Sequence, residues 1–212
     1  AVSSSSQNAD SVFARIERGD SRGGLQAVAA EGSSFFIPRP VAQQLQLSPG
    51  MELDEQEYLT LRHRADSYLA RRKAMDLLAM REHTQSELMQ KLQKKGFVAD
   101  VAEETVETLA NEQLQSDRRF GEVWLRGRLA RRPAARGILA AELQRKGVGR
   151  ELCEELLNEF YDEDTAERAL EAAAAKLMRK RTITREGLMQ GLARLGFRYT
   201  DAERVADRLF SQ

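Results

Sequence analysis

The chain has 212 residues, 42% of them apolar but only 6% aromatic, and its 33 basic and 33 acidic side chains cancel to a formal charge of zero. That length holds one or two domains with a lean core, and apolar positions filled mainly by Leu and Ala favour amphipathic helices over an all-β fold. Cys153 is the only cysteine, which excludes an intramolecular disulfide and a Cys/His zinc site and makes a reducing cytoplasm the expected compartment.

Ala1 to Asp10 is Ser-rich, without the basic and apolar regions of a secretory signal. Residues 1–32 show weak periodicity and are expected to be a flexible N-terminal segment. Residues 33–53 are predicted to form a small module. Its Ser33 to Ile37 and Met51 to Leu53 would be two short strands, a short β-hairpin, around a small helical turn in the stretch that holds Pro38, Pro40 and Pro49. At Asp54 a capping box begins, with Glu57 three residues on, and Tyr58, Leu61, Ala65, Tyr68 and Leu69 continue at helical spacing, so a long helix should start there. Apolar runs such as Leu170 to Leu177 are short and broken by Glu171 and Lys176, far below the ~20 residues of a membrane span.

The pattern Leu-x3-Leu-x3-Gly-apolar then occurs three times, at Leu88, Leu92, Gly96, Phe97; at Leu139, Leu143, Gly147, Val148; and at Leu188, Leu192, Gly196, Phe197. Leucines four apart share a helix face, and a glycine one turn on is placed as the left-handed residue that ends the helix. Thr84, Ala135 and Thr184 stand twelve residues before each glycine as helix starts. A helix is predicted after each glycine, through Val106 and Leu109, Leu157 and Phe160, and Ala206 and Leu209. Another is predicted before each start, over Tyr68 to Met80, Phe120 to Leu129 and Ala166 to Lys180. The expected fold class is all-α: three tandem three-helix repeats, over 54–112, 113–162 and 163–212, in an elongated, curved arrangement.

No phosphate-cradling loop, nucleophile elbow or metal-ligand spacing is present, so no catalytic, cofactor-binding or metal residue is assigned and the chain is not expected to be an enzyme. His63 and His83, in polar surroundings, read as surface residues. Cys153, aligned with Ala102 and Ala202, reads as a small buried residue, and Trp124 as a core residue before a base-stacking platform. Charge is strongly segregated along the chain: Arg118 to Arg150 sums to +8 and Glu151 to Glu171 to −8. Arg126, Arg128, Arg131, Arg132 and Arg136 crowd the end of one helix and the turn at Pro133. They are either a contact surface for phosphates or carboxylates, or a solvated helix face. With Lys146, and Arg71 and Arg72 in second rank, they are the candidate partner-binding residues. A neutral chain with an acidic block suits a partner presenting both signs of charge better than DNA alone.

The order of Ser86-Glu87-Leu88, Leu92 and Lys95-Gly96-Phe97, then Leu114-Gln115-Ser116-Asp117-Arg118-Arg119-Phe120, then Glu142-Leu143 and Lys146-Gly147-Val148, then Leu195-Gly196-Phe197 resembles the RecX family of bacterial recombination regulators, over about residues 60–210. The resemblance implies three three-helix units and no cofactor or catalytic residue. It also implies binding in the groove of RecA filaments on DNA, with ATP hydrolysis and strand exchange modulated, usually inhibited, in recombination, DNA repair and the SOS response. Where relatives have a Gly and an Arg-Ile pair at the start of the second unit's middle helix, this chain has Ala135 and Ile138-Leu139, with an arginine at Arg136 instead. The expectation is a monomer acting on RecA filaments, with weak non-specific DNA binding and no membrane contact. The alternative from another class is a stand-alone DNA-binding regulator using helix-turn-helix-like units, and a third is a helical scaffold without a nucleic-acid partner.

Overall fold

The structure, a computed structural model, describes residues 12–19, 24–132, 134–179 and 183–210. Four strands and ten helices lie within them, in two compact units: Ala1–Leu77 with Met89–Leu109, and Leu78–Leu88 with Ala110–Gln212.

In the first unit, β1 (Ala14–Arg18), β2 (Leu25–Ala29), β3 (Ser34–Ile37) and β4 (Glu52–Leu53) form an antiparallel sheet in the order β3-β2-β1-β4. The expected flexible segment 1–32 thus contains two paired strands, while residues 1–11 and 20–23 lie outside the described residues. The strands at 34–37 and 52–53 occupy opposite edges of the sheet instead of pairing with each other. The reason for the difference is compositional. β1 alternates Ala14 and Ile16 inward against Arg15 and Glu17 outward, and β2 buries Ala27 and Ala29, so small alanines carry a period of two that a hydrophobicity pattern barely registers. These residues pack with Ile37, with Val41 and Ala42 of α1 (Arg39–Gln44), and with Leu53, Tyr58 and Leu61. Phe13 and Phe35 meet the Tyr58 ring edge-on at 5.2 and 5.1 Å.

The helix α2 (Glu55–Met80) opens on the predicted capping box: Glu57 N donates to Asp54 Oδ1 at 2.7 Å and Asp54 N to Glu57 Oε2 at 3.0 Å. With α3 (Gln85–Lys94) and α4 (Ala99–Asn111) it forms the first helix triplet. The second triplet is α5 (Asp117–Arg131), α6 (Arg136–Arg145) and α7 (Arg150–Phe160). The third is α8 (Glu163–Met178), α9 (Arg185–Arg194) and α10 (Tyr199–Phe210). Pro133 and Lys180 lie outside the described residues. The two later triplets have separate cores, one around Leu125, Leu139, Leu143 and Leu156, the other around Leu170, Leu188, Leu192 and Val205. Cys153 is fully buried in the first of these, where burial pushes its thiol pKa up.

Each glycine turn has the predicted geometry. Gly96, Gly147 and Gly196 hold φ of 95°, 93° and 83°, and Phe97, Val148 and Phe197 donate their N–H back to the carbonyls of Leu92, Leu143 and Leu192. Two of the turns also join triplets within the second unit. At Gly147 the Thr84 hydroxyl donates to Lys146 O at 2.6 Å while accepting from Glu87 N at 3.1 Å, so one side chain caps α3 and holds the end of α6. A methyl on Gly147 would lie 2.5 Å from Ser86 Cβ. One repeat on, Gly196 sits against Ala135 and Ile138, at the first turn of α6.

Between α4 and α5, the Leu114 to Phe120 element knits the chain. Gln115 Nε2 donates to His83 O and Asp117 Oδ1, Asp117 Oδ1 accepts from Gln85 N, and Arg119 reaches Glu82 and the carbonyls of Gln113 and Leu114. Ser116 caps α5 and Phe120 enters the core. His83, expected on the surface, is buried here: Gln115 binds its carbonyl and its ring Nδ1 lies 2.9 Å from Glu87. Burial pushes the Glu87 carboxyl up, but hydrogen bonds from Arg81 and His83 outweigh it and hold the pKa below the ordinary range. His63 is exposed and 2.9 Å from Glu104.

Gly96→Ala is expected to cost about 1 kcal/mol, because positive φ alone opposes it; no described atom lies within 4 Å of the added methyl. Gly147→Ala should cost about 1–3 kcal/mol more, because its methyl must also displace Ser86. Urea unfolding of both variants beside the parent measures the difference, and equal losses would mean that the Gly147 turn does not press on α3.

Candidate partner-binding surface

The last two turns of α5 present basic side chains at a helix C-terminus, where the backbone carbonyls favour positive charge. Trp124, Arg128, Arg131, Arg132 and Glu142 line a cleft of about 410 Å³. Trp124 is half-buried: it packs on the repeat-two core and also faces the cleft. The Lys146 ammonium stands 5.9 Å from its ring centroid. Arg128 grips Glu142 with two hydrogen bonds, Nε to Oε2 at 2.7 Å and Nη2 to Oε1 at 3.1 Å. That contact outweighs burial and holds the Glu142 carboxyl below its ordinary pKa, so Glu142 is ionised at neutral pH.

The remaining candidates divide by what they touch. Arg131 donates Nε to Gly127 O of its own helix, and Arg132 is exposed at the helix end; neither has a carboxylate partner among the described residues. Arg126 lies with its guanidinium carbon 5.0 Å from the Phe160 ring centroid and its Nη2 3.6 Å from Glu122 Oε2. Arg136 points elsewhere, to Glu154 at 2.9 Å and Asn158 at 2.7 Å on α7. This is a structural contact, since Arg185, its counterpart 49 residues on, binds Glu203 and Asp207 in the same way. Arg71 and Arg72 lie on the part of α2 that belongs to the other compact unit.

Folding also redistributes the segregated charge. Arg118 pairs with Glu155 and Glu159, and Arg136 with Glu154, so two of the ten cations of the basic stretch are matched by the acidic one that follows it. Five cations of the stretch, Arg131, Arg132, Arg145, Lys146 and Arg150, have no carboxylate partner among the described residues, and Arg131, Arg132 and Lys146 stand beside Trp124. Sequence reading named the cations but missed that Trp124 and Glu142 share their cleft. The spacing of Trp124 and Arg128, one helical turn apart, was the usable signal. Among the described residues there is no group of His, Cys, Asp and Glu that could hold a metal ion, and no helix long and apolar enough to cross a membrane.

Comparison with known proteins bears on this geometry. The family models described as the first and second three-helix domains of RecX match residues 70–109 and 116–157. Regulatory protein RecX of Chlorobium limicola is 30% identical over 138 residues, covering 65% of this chain and 87% of that one. Those of Pelodictyon phaeoclathratiforme and Bacillus licheniformis are 38% and 27% identical over 49% and 80% of this chain, which spans 65% and 66% of their lengths. A crystal structure of regulatory protein RecX shares the fold with a TM-score of 0.70 at 23% identity, over 92% of this chain and 99% of that one. A crystal structure of RecX from Lactobacillus salivarius matches 69% of this chain with a TM-score of 0.60 and 19% identity. The three-helix matches, and a relative that is 30% identical and covered over 87% of its length, show that the chain belongs to the RecX family.

Proposed function

We propose that this chain regulates RecA, docking on the RecA filament on DNA and altering its ATP hydrolysis and strand exchange, usually downward, in cytoplasmic recombination and repair. Family membership supports the reading, and the single observation that carries it to a site is the corner where Arg131 and Arg132, without carboxylate partners among the described residues, stand beside Trp124 and Lys146. Guanidinium groups of this kind take carboxylates or phosphates in two-pronged hydrogen bonds, and a protein assembled on DNA offers both. The mechanism is steric and electrostatic. A chain of linked three-helix units lying across neighbouring filament subunits binds best to one subunit arrangement and so opposes the movement that ATP turnover requires. Free duplex DNA then binds weakly, without sequence preference, and the protein acts as a monomer.

The DNA-dependent ATPase rate of RecA filaments, measured as substoichiometric protein is added, should fall. Arg131→Glu/Arg132→Glu should need roughly ten-fold more protein for the same effect, about 1.4 kcal/mol of lost contact. An equal effect of parent and variant would move the site, and no effect at any ratio would remove the RecA reading. Duplex binding measured alone should be weak and steeply salt-dependent. Tight, sequence-selective binding would instead support a DNA-binding regulator.

A further inference from the structure

Triplets two and three are equivalent at a spacing of 49 residues, and their cores coincide at that spacing. Leu139 and Leu188, Leu143 and Leu192, Cys153 and Ala202, and Leu157 and Ala206 are all buried. An apolar pattern of this kind offers the first helix of each triplet, α5 or α8, two acceptable third helices, α7 and α10. Contacts between second and third helices do not discriminate either, because Arg136 with Glu154 and Asn158 has the same polarity as Arg185 with Glu203 and Asp207.

The first helices differ in two respects. Arg118 of α5 binds Glu155 and Glu159 of α7, whereas at its position one triplet later Glu167 binds Arg204 at 2.6 Å, so the sign of that contact is inverted. One turn on, Glu171 binds Arg208 at 3.1 Å, and its counterpart in α5 is Glu122, also acidic. Side-chain size is inverted as well. Gly121 of α5 leaves room for Leu156, whose Cδ1 would stand 2.4 Å from an added methyl. Its counterpart in α8 is the buried Leu170, packed in a core where Val205 and Ala206 replace Leu156 and Leu157.

We propose that this paired inversion is a recognition code by which each first helix accepts its own third helix and refuses the other, in the same chain or in a second copy. Pairing α5 with α10 would set Arg118 against Arg204 and Arg208, offset in part by Glu122 facing Arg208, and leave a void at Gly121. Pairing α8 with α7 would set Glu167 and Glu171 against Glu155 and Glu159 and drive Leu170 into Leu156. Each exposed pair adds little to stability, but a wrong pairing turns several attractions into repulsions and misfits the core at once. Chains of near-equivalent repeats are prone to this kind of exchange.

Refolding from urea, followed by circular dichroism and by size-exclusion chromatography with light scattering, tests the code. In Arg118→Glu/Glu155→Arg/Glu159→Arg every local pair is restored, yet triplet two acquires the polarity of triplet three. The refolded protein should keep the parent's helicity while its dimer or misfolded fraction rises roughly three-fold or more, increasing with concentration. Adding Glu167→Arg/Glu171→Arg/Arg204→Glu/Arg208→Glu makes the polarities opposite again and should return that fraction to the parent's. A size variant, Gly121→Leu/Leu156→Val/Leu157→Ala, leaves all charges in place and should raise the fraction in the same direction. Clean refolding of the first variant and the size variant, or failure of the seven-fold charge variant to restore it, would overturn the proposal.

Discussion

The left-handed glycine at the end of each middle helix governs how the repeats can be built. A residue with a side chain at Gly96, Gly147 or Gly196 would strain the backbone, and at Gly147 it would also strike Ser86. The bare backbone there lets the end of α6 come close enough for Thr84 to donate to Lys146 O. The same turn therefore ends a helix and, within the second unit, joins it to the triplet before. At the next junction Ala135 and Ile138 offer Gly196 a purely apolar seat, and α6 accordingly begins without a side-chain cap. At Gly147 and Gly196 helix ending and repeat joining are one device, and a Gly-apolar pair follows the paired leucines in every copy.

Electrostatics comes next in order of consequence. Part of the charge segregation in the sequence is a record of ion pairs between helices of one triplet, each individually weak. Their arrangement matters more than their sum. Pairs that fix Arg118, Arg119, Arg128 and Arg136 in the frame leave Arg131 and Arg132 as the cations of α5 without a carboxylate partner among the described residues. A surface corner is therefore defined as much by the arginines the fold uses as by those it does not.

Much of this was legible in the residues. The repeated leucine pairs and glycines placed the middle helices, and Asp54 with Glu57 placed the start of α2, because helix termini carry local chemistry that side chains advertise. The N-terminal sheet was not legible, since Ala14, Ala27 and Ala29 bury strand faces with side chains too small to mark a period of two. His83 was misread because a polar residue looks exposed until a distant partner, here Gln115, is brought to it by the fold. The basic corner was visible as composition, while its cleft, shared with Trp124 and Glu142, depends on how α5 and α6 pack.

With the end of α5 as the proposed contact with the RecA filament, the acidic α7 and α8 belong to the frame. Amide hydrogen exchange of this chain, free and bound to RecA filaments on single-stranded DNA, examines that division without altering a residue. Slowed exchange concentrated over residues 126–132 and the last turn of α6, with α7 and α8 little changed, is the result predicted. Protection elsewhere with residues 126–132 exchanging as in the free protein would contradict it.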